Sequence, residues 1–462
     1  MDLNKNDTFF NLTFKNIKHI HFVGIGGVSV NSLAVFSKIN GFEVTGSDSS
    51  KSDVTTSLEN MGIKIYYEHK ADNVKKTDLV VFSNAVENGI EVTTAKKLKT
   101  PTISRAKFLS FILQNYKTTI CVSGAHGKTT TTALIYSILK EANVFPSLHL
   151  GGNLVCNKKS YVYEGTDYMV CEACEYKDSF LEFSPNIGII LNIAPEHLDY
   201  FKTFENVKKS FIKFAERSDV LIINKDYIVH HKNKITFGLN SADFTAKNIK
   251  MLKNGKYSFD CYYKNEKYLH IYLNLIGKHN ILNALASIAT CYVLGIEKQY
   301  IHKALKKNCG VERRYQFLHK QKFIVHDYAH HPDEIASSIQ ETKMFYKNKL
   351  LIVFQPHTYS RTKTLMKDFV KVFSTKDEIL ILPAYSAREK YDYKGSSLAL
   401  KREIGENATY LKSSKKAEKY ILDKISSGYG VLFLGAGDIY NVAKNIAKKC
   451  WQPRVYMLNS SR

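Results

Sequence analysis

The chain has 462 residues, 44% of them hydrophobic, with eight scattered cysteines and a formal net charge of +23. The length allows about three domains, and no apolar run reaches the ~18 residues of a membrane span. The first ten residues lack the pattern of a secretory signal, so we expect free thiols in a reducing cytoplasm. The lysines are spread without a dense run, which argues against a nucleic-acid partner. Two explanations of the positive charge stay open, attraction of anionic substrates and a simple bias of composition.

The first third of the chain predicts alternating strands and helices, with a glycine turn near the start. Residues 18–23 predict a strand, and apolar spacing predicts a helix that ends near Ile39. The turn between them contains Gly24, Gly26 and Gly27. A glycine turn at a helix N-terminus suits a bound diphosphate.

An acidic residue, Asp48, follows the second predicted strand at residues 42–46. Such a residue suits a sugar hydroxyl. The dinucleotide pattern G-x-G-x-x-G would need a third glycine where Ser29 stands. NAD, a diphosphate of another kind and a purely structural turn therefore stay open.

Two further polar residues stand where parallel strands usually present ligands. Ser83 follows the predicted strand at residues 77–82, and Arg105 opens a predicted helix that ends near Gln114. Arg105 could meet a phosphate or a carboxylate, and an exposed arginine without a ligand is the alternative.

Residues 118–132 carry the strongest signal in the chain. A short β-branched run leads into a glycine turn, a lysine, four threonines and a helical pattern. The turn and the first helical residues are Gly124, Ala125, His126, Gly127, Lys128, Thr129 and Thr130. Backbone N–H groups, the helix dipole and the lysine would hold a polyphosphate, and the first hydroxyl would reach Mg²⁺. The usual pattern G-x-x-x-x-G-K-[ST] has its first glycine at the position of Val122, so this loop is a shortened variant.

Two buried strands of the middle third end in polar residues. Glu172 follows the strand at residues 167–170, and His197 comes after the strand at residues 186–191. In an α/β sheet both strand ends can lie beside the phosphate loop, so Glu172 is a candidate Mg²⁺ ligand or base. His197 is a second candidate, although histidine is an unusual Mg²⁺ ligand and alone suggests a structural role. The single C-x-x-C at Cys171 and Cys174 lacks the partners of a zinc site.

The end of the middle third predicts a change from parallel to antiparallel strands. Alternating apolar residues at 236–275 are typical of hairpins, and residues 277–286 begin a helix. Asn280 and Asn283 share one face of that helix, where capping is the simplest interpretation.

The last third, from residue 312, predicts a second open parallel sheet with four strands. Polar clusters follow three of them, including His330 and His331 after the first and His357 and Arg361 after the second. Two adjacent histidines before a proline cannot both face the core, so they indicate a site at the carboxyl end of the sheet.

Taken together, these motifs make the chain resemble the Mur ligase family of peptidoglycan synthesis. The motifs follow the family's order over nearly the whole chain: GIGGVS at 24–29, GAHGKTTTT at 124–132, CEACEY with SFL at 171–181, NIAPEHLDYF at 192–201, GKHNILNALA at 277–286, ERRYQFL at 312–318, DYAHHPDEI at 327–335 and FQPHTYSRT at 354–362. Two positions depart from the usual pattern, Ala125 in place of threonine and Cys174 in place of aspartate.

The resemblance implies an α/β fold of three domains. These are a Rossmann-like UDP-sugar-binding domain at 1–114, a central P-loop ATPase domain at 115–311 with a parallel sheet plus a small antiparallel sheet, and a Rossmann-like ligase domain at 312–462. It implies ATP-dependent ligation of L-alanine to the lactyl carboxylate of UDP-N-acetylmuramate, with Mg²⁺ as cofactor. The alternative is the family's tripeptide ligase acting on the same UDP-sugar. Monomer and homodimer both stay open.

The resemblance also implies roles for individual residues. Lys128 would neutralise the reacting anions, and Thr129, Glu172 and His197 would hold Mg²⁺. His279, Asn280 and Asn283 would approach the base of ATP, and the third domain would contact ATP through Arg313, Arg314 and Asp327. The alanine and carboxylate pocket would contain His330, His331, His357 and Arg361. The UDP-sugar would meet the glycine turn, Asp48, Ser83 and Arg105.

Overall fold

The computed structural model describes residues 14–374, 377–387 and 389–451. These residues form three α/β sheets distributed over two compact units. The first unit contains the described residues up to 250 together with residues 258–275 and 279–311. The second contains residues 251–257, 276–278 and the described residues from 312 onward. The N-terminal segment that argued against a secretory signal lies outside the described residues.

The first sheet has five parallel strands in the order β3-β2-β1-β4-β5. The order reverses beside β1, which is where ligands bind in such sheets. The strands are β1 (His19–Val23), β2 (Glu43–Ser47), β3 (Lys64–Tyr66), β4 (Leu79–Phe82) and β5 (Thr102–Ser104). The helices are α1 (Val28–Ile39), α2 (Asp53–Asn60), α3 (Ile90–Lys97) and α4 (Arg105–Leu113).

The second sheet has ten strands in the order β15-β14-β13-β12-β11-β10-β6-β9-β7-β8. The strands are β6 (Thr118–Ser123), β7 (Ser147–His149), β8 (Tyr161–Val162), β9 (Tyr168–Glu172), β10 (Ile187–Ile190), β11 (Val220–Asn224), β12 (Lys234–Gly238), β13 (Phe244–Met251), β14 (Lys256–Tyr263) and β15 (Glu266–Ile276). The helices are α5 (Lys128–Glu141), α6 (Leu198–Phe201), α7 (Phe204–Glu216), α8 (His279–Val293) and α9 (Lys298–Lys307).

This sheet places the strand before the phosphate loop between the two strands with polar ends. β6 pairs in parallel with β9 on one side and β10 on the other, as the sequence predicted. The strands predicted as hairpins, β13 to β15, extend the parallel strands within the same ten-stranded sheet. They join it through a short parallel pairing in which Phe237 and Gly238 of β12 face Phe244 and Thr245 of β13.

The third sheet lies in the second unit and has the order β16-β17-β21-β18-β19-β20. Its strands are β16 (Gln316–His319), β17 (Ile324–Asp327), β18 (Leu350–Phe354), β19 (Glu378–Ile381), β20 (Ala408–Tyr410) and β21 (Gly430–Leu434). The helices are α10 (Pro332–Phe345), α11 (Tyr359–Thr364), α12 (Met366–Phe373), α13 (Ser397–Ile404), α14 (Ser414–Ser426) and α15 (Ile439–Trp451).

The prediction of four parallel strands is correct for the centre of this sheet and incomplete at its edges. β16 adds an antiparallel edge strand and β20 a parallel one. Both are short and only partly buried, so neither has the continuous apolar run that marks β18, whose five residues are all buried.

Two further observations concern the chain as a whole. All eight cysteines are free thiols, as expected. The Sγ atoms of Cys121 and Cys171 lie 3.4 Å apart on the paired strands β6 and β9. Among the described residues, none of the helices combines the length and the hydrophobicity that a bilayer span requires.

Candidate active site

The phosphate loop leaves β6 through two glycines with positive φ. Gly124 has φ 140° and Gly127 has φ 86°, and α5 begins at Lys128. Asn192, after β10, holds the turn from outside: its carbonyl accepts from the N–H of Ala125 at 3.2 Å and its Oδ1 from that of His126 at 2.8 Å. The first N–H groups of an α-helix have no acceptor within the helix, so those of Lys128, Thr129 and Thr130 are the groups that an anion would meet.

The side chain of Lys128 folds back over this loop. Its Nζ donates to the carbonyl of Gly124, to that of Ala125 at 3.1 Å and to Glu175 at 3.0 Å. The Glu175 side chain is 2% exposed. Burial lowers the pKa of Lys128, but the charge and hydrogen bond of Glu175 together with the charge of Glu172 raise it above its usual value, so the ammonium stays protonated. A phosphate that reaches the loop would compete with Glu175 for Lys128.

Two of the three predicted Mg²⁺ ligands, Glu172 and Thr129, each lie beside one of two adjacent glycines. Glu172 Oε1 accepts from the N–H of Gly151 at 2.8 Å. A Cβ atom at Gly152 would lie 3.4 Å from the methyl group of Thr129. A hydroxyl and a carboxylate at the end of the phosphate loop are hard oxygen donors of the kind Mg²⁺ prefers.

The third predicted ligand, His197, lies beside a different carboxylate. Its Nε2 is 3.7 Å from Glu175 Oε1, its ring centre lies 4.7 Å from that of Tyr176 with the two rings tilted by 45°, and its backbone is left-handed with φ 56°. Within the described residues no cluster of three His, Cys, Asp or Glu side chains suits a metal ion. A few protein oxygens completed by phosphate oxygens and waters would fit Mg²⁺ better than an all-protein cage.

The start of α8 packs directly on the phosphate loop. A Cβ atom built at Gly127 would lie 2.5 Å from Asn283 Oδ1, so only glycine fits there. Asn283 in turn donates to Asn280 Oδ1 at 2.8 Å, and His279 is exposed at the first residue of the helix. The asparagine pair therefore shapes the phosphate loop. Capping was the simplest interpretation of the pair from the sequence.

In the first sheet the glycine turn after β1 is held by its neighbours. Gly24, with φ 77°, donates to the carbonyl of Ser47 at 2.8 Å, and the N–H of Gly26 donates to Asp48 Oδ2 at 2.9 Å. The Gly27 N–H donates back to the Gly24 carbonyl at 3.1 Å. Ser83 Oγ lies 3.9 Å from the Cβ position of Gly24. Asp48 thus stabilises the turn, and its contact with a sugar hydroxyl stays a prediction.

A buried carboxylate beside this turn escaped the sequence analysis. Glu91 is 1% exposed and accepts from Ser47 Oγ at 2.7 Å, Asn73 Nδ2 at 2.7 Å and His69 Nδ1 at 2.6 Å. Burial raises the pKa of Glu91, but these hydrogen bonds and one with His21 lower it to about 2. The partners come from four separate segments, and an acidic residue in a short helix gave no signal by itself.

The second unit gathers the predicted histidines and Arg361 at the carboxyl ends of its central strands. The rings of His330 and His357 lie 5.7 Å apart, and Arg361 Nη1 lies 3.0 Å from His357 Nδ1. Burial and the charge of Arg361 lower the pKa of His357 to about 4, and burial lowers that of His330. Both rings are therefore neutral at pH 7 beside a permanent positive charge. His331 lies next to them and caps α10.

Arg313 and Arg314 stack on a tyrosine that the sequence analysis did not single out. Their guanidinium carbons lie 4.9 and 4.7 Å from the ring centre of Tyr328. Arg313 also donates to the carbonyls of Ala436 and Gly437 at 2.6 and 2.7 Å. Burial raises the pKa of Asp327, which accepts from the N–H of Tyr315 at 3.3 Å.

Acidification is expected to destabilise the fold through His326, a fully buried residue of β17. Burial and the charge of Arg313 lower its pKa to about 3, below the usual 6.5. Its stabilising contribution is therefore present above pH 6.5 and is lost as the pH falls towards 3. Between pH 7 and pH 5 the loss is about 1–2 kcal/mol.

Calorimetric melting temperatures at pH 7 and pH 5 check this contribution. In His326→Phe or His326→Gln the fall between the two pH values should be smaller than in the wild type. An equal fall in all three proteins would contradict the assignment.

Comparison with known proteins places the chain in a family. The chain matches the Mur ligase family catalytic domain at residues 19–117, the Mur ligase middle domain at 122–291 and the Mur ligase glutamate ligase domain at 313–437. It is 41% identical over 452 residues to the UDP-N-acetylmuramate–L-alanine ligase of Acetivibrio thermocellus, covering 93% of this chain and 96% of that one.

Two solved structures are similar over almost the full length. The crystal structure of the UDP-N-acetylmuramate–alanine ligase of Thermotoga maritima has a TM-score of 0.81 and 30% identity, covering 94% of this chain and 99% of that one. The murein peptide ligase of Psychrobacter arcticus has a TM-score of 0.69 at 22% identity, covering 93% and 98%. The second likeness concerns the fold alone.

Proposed function

The chain belongs to the Mur ligase family, and we propose that it ligates L-alanine to the lactyl carboxylate of UDP-N-acetylmuramate at the expense of ATP. This is the first amino-acid addition to the peptidoglycan precursor. The observation that carries the proposal is the 41% identity over 93% of the chain to an enzyme of that name. The phosphate loop with Lys128 and Glu172 at its end supplies the matching chemistry.

The reaction must turn a carboxylate, which is a poor electrophile, into an acyl donor. A lactyl carboxylate oxygen attacks the γ-phosphorus of ATP, and the bond to the β-phosphate oxygen breaks, which gives an acyl phosphate and ADP. The uncharged amine of L-alanine then attacks the acyl carbon. The tetrahedral intermediate expels inorganic phosphate, and the nitrogen loses a proton to leave the amide.

The first unit would supply the groups that bring two anions together. Lys128 and the N–H groups at the start of α5 would bind the phosphates and spread their charge in the transition state. Thr129 and Glu172 would hold Mg²⁺, with His197 as the third candidate. The ion would neutralise charge that builds up between the carboxylate and the γ-phosphate.

The second unit would supply the remaining contacts. Arg313, Arg314 and Asp327 would contact ATP, and Arg361 would meet a carboxylate. The neutral ring of His330 donates from Nδ1 to the carbonyl of Tyr328, so its Nε2 can accept an N–H of the amine. His357 accepts from Arg361 at Nδ1, so its neutral ring carries the proton on Nε2 and can donate to a carboxylate. We assign the UDP-sugar to residues 1–114, ATP to 115–311 and these contacts to 312–462.

Release of ADP tests the proposal. With ATP and Mg²⁺ present, ADP should appear at a substantial rate only when UDP-N-acetylmuramate and L-alanine are both added. The product should have the mass of the alanyl conjugate. ADP release that needs neither acceptor would overturn the proposal.

A competition between amines separates the two family members considered. Free L-alanine and the tripeptide L-alanyl-γ-D-glutamyl-diaminopimelate are offered together with one limiting portion of UDP-N-acetylmuramate. The proposal predicts that the alanyl conjugate predominates. A predominant tripeptide conjugate would identify a tripeptide ligase instead.

A further inference from the structure

A chain of hydrogen bonds links Arg105 to a buried histidine of the second sheet. Arg105 Nη1 donates to Ser29 Oγ at 2.7 Å. Ser29 Oγ lies 3.0 Å from His149 Nε2, and His149 Nδ1 lies 3.0 Å from Ser32 Oγ. Ser32 Oγ donates to the carbonyl of Ser29 at 3.0 Å. His149 is 2% exposed.

One arrangement of protons satisfies every member of this chain. Arg105 can only donate, so Ser29 accepts from it and donates its own hydroxyl proton to His149 Nε2. The ring must then carry its proton on Nδ1 and donate it to Ser32. Burial and the charge of Arg105 lower the pKa of His149 to about 3, so the ring stays neutral as this arrangement requires. The direction of these bonds is determined by Ser32: its hydroxyl proton goes to the carbonyl of Ser29, so it can only accept from His149 Nδ1 and leaves Nε2 as the acceptor for Ser29.

The guanidinium itself has no acidic partner. In the described part of the chain no carboxylate lies within ion-pair distance of Arg105. Burial lowers its pKa, while the more distant negative charge of Glu172 raises it. A largely desolvated cation without a counter-ion is costly, and an arriving anion would remove that cost.

Its hydrogen-bonded neighbours connect Arg105 to the glycine turn of the first sheet, proposed for the UDP-sugar, and to Glu172, proposed for the ATP site. Ser29 lies in the first turn of α1, directly after the glycine turn of the first sheet. His149 ends β7, and two residues later the N–H of Gly151 donates to Glu172 at 2.8 Å. The segment 149–151 therefore contacts the start of α1 at one end and Glu172 at the other.

We propose that Ser29 and His149 are positioning residues that hold the Arg105 guanidinium for an oxyanion of the UDP-sugar, either its diphosphate or its lactyl carboxylate. The inference rests on the proposed function. It explains why serine replaces the third glycine of the dinucleotide pattern: the hydroxyl orients an arginine, where a glycine would only allow close packing.

Two serines of α1 form a matched pair for the test. Both contact His149, but only Ser29 contacts Arg105. Ser29→Ala should raise the Kd for UDP-N-acetylmuramate about tenfold or more, as expected for loss of a charge-assisted hydrogen bond. Ser32→Ala should change it less than threefold, and neither should alter the Kd for ATP.

A double-mutant cycle shows whether Ser29 acts through Arg105. In the Arg105→Gln background Ser29→Ala should cause almost no further loss of UDP-sugar affinity, since nothing remains to be positioned. If the double variant instead lost the product of the two single-variant losses in UDP-sugar affinity, the proposal would be contradicted. His149→Gln, whose amide can reach towards Ser29, should retain more affinity than His149→Asn, whose shorter amide corresponds to the Nδ1 side.

The affinities for three ligands show whether Arg105 holds the diphosphate or the lactyl carboxylate. They also distinguish failure of this proposal from failure of the proposed function. If Arg105 holds the diphosphate, Arg105→Gln weakens UDP, UDP-N-acetylglucosamine and UDP-N-acetylmuramate alike. If it holds the lactyl carboxylate, only the last is weakened. No effect on any ligand would overturn the positioning role, whereas a wild-type protein that fails to bind UDP-N-acetylmuramate would overturn the proposed function itself.

Discussion

Lys128→Ala is expected to reduce the rate of ADP formation by about 10³-fold or more, because it removes an ammonium that lies over the phosphate loop. The structure places its Nζ on two loop carbonyls and on Glu175. Without it, the Glu175 carboxylate would remain beside the phosphates with no counter-charge. A coupled assay for ADP measures the loss directly.

The matched control is Lys140→Ala, in the last turn of the same helix and exposed to solvent. That change should leave the rate within about twofold, since the side chain lies away from the loop. Binding of UDP-N-acetylmuramate should be largely retained in Lys128→Ala. If the UDP-sugar affinity fell as steeply as the rate, the assignment of the two ligands to separate sites would be wrong.

Gly127→Ala is expected to weaken ATP binding at least ~100-fold. The added Cβ would lie 2.5 Å from Asn283 Oδ1 and 3.2 Å from Leu191, and the backbone there has φ 86°. Relief of that contact needs Asn283 to turn away from Asn280, or a shift of α8 or of the loop, and each changes the packing that holds the N–H groups facing the phosphates. Isothermal titration with a non-hydrolysable ATP analogue gives the affinity.

Gly295→Ala is the control that separates the effect of backbone strain from the effect of the contact between the added Cβ and Asn283. Gly295 has φ 70°, but a Cβ built there meets no atom within 4 Å. Both substitutions place alanine in the left-handed region, at a cost of about 1–2 kcal/mol in stability. Only Gly127→Ala should lose ATP affinity. Equal ATP affinities in the two variants would contradict the role given to the contact between the loop and α8.

The sequence predicted the geometry of the candidate site where that geometry is formed by residues that are neighbours along the chain. The phosphate loop is continuous from β6 through Gly124 and Gly127 to Lys128, so its motif and its geometry coincide. The polar residues at the ends of strands were predicted for the same reason, because each directly follows its strand along the chain. Parallel pairing of β6 with β9 and β10 follows from the α/β pattern and brings Glu172 to the loop.

What the sequence did not predict depends on side chains from distant segments. Asn283 packs on Gly127 more than 150 positions earlier, and Ser29 meets His149 across 120 positions. Neither contact leaves a periodic or spaced pattern, because it depends on where two elements cross. For the same reason the pair of Lys128 with Glu175 was missed, although both residues belong to motifs that had been recognised.

The differences between the predicted and the observed sheets have a related cause. The edge strands β16 and β20 are short and partly exposed, so they lack the apolar run by which a central parallel strand is recognised. Whether hairpin strands form their own sheet or extend another depends on one junction. Here that junction is the pairing of Phe237 and Gly238 with Phe244 and Thr245.

The most direct test of the account follows oxygen through the reaction. UDP-N-acetylmuramate labelled with ¹⁸O in both oxygens of the lactyl carboxylate is incubated with ATP, Mg²⁺ and L-alanine. Activation of the carboxylate by phosphorylation predicts that each inorganic phosphate released carries one ¹⁸O atom and that the amide product keeps the other. Unlabelled phosphate, with the oxygen lost from the carboxylate recovered as labelled water, would contradict it.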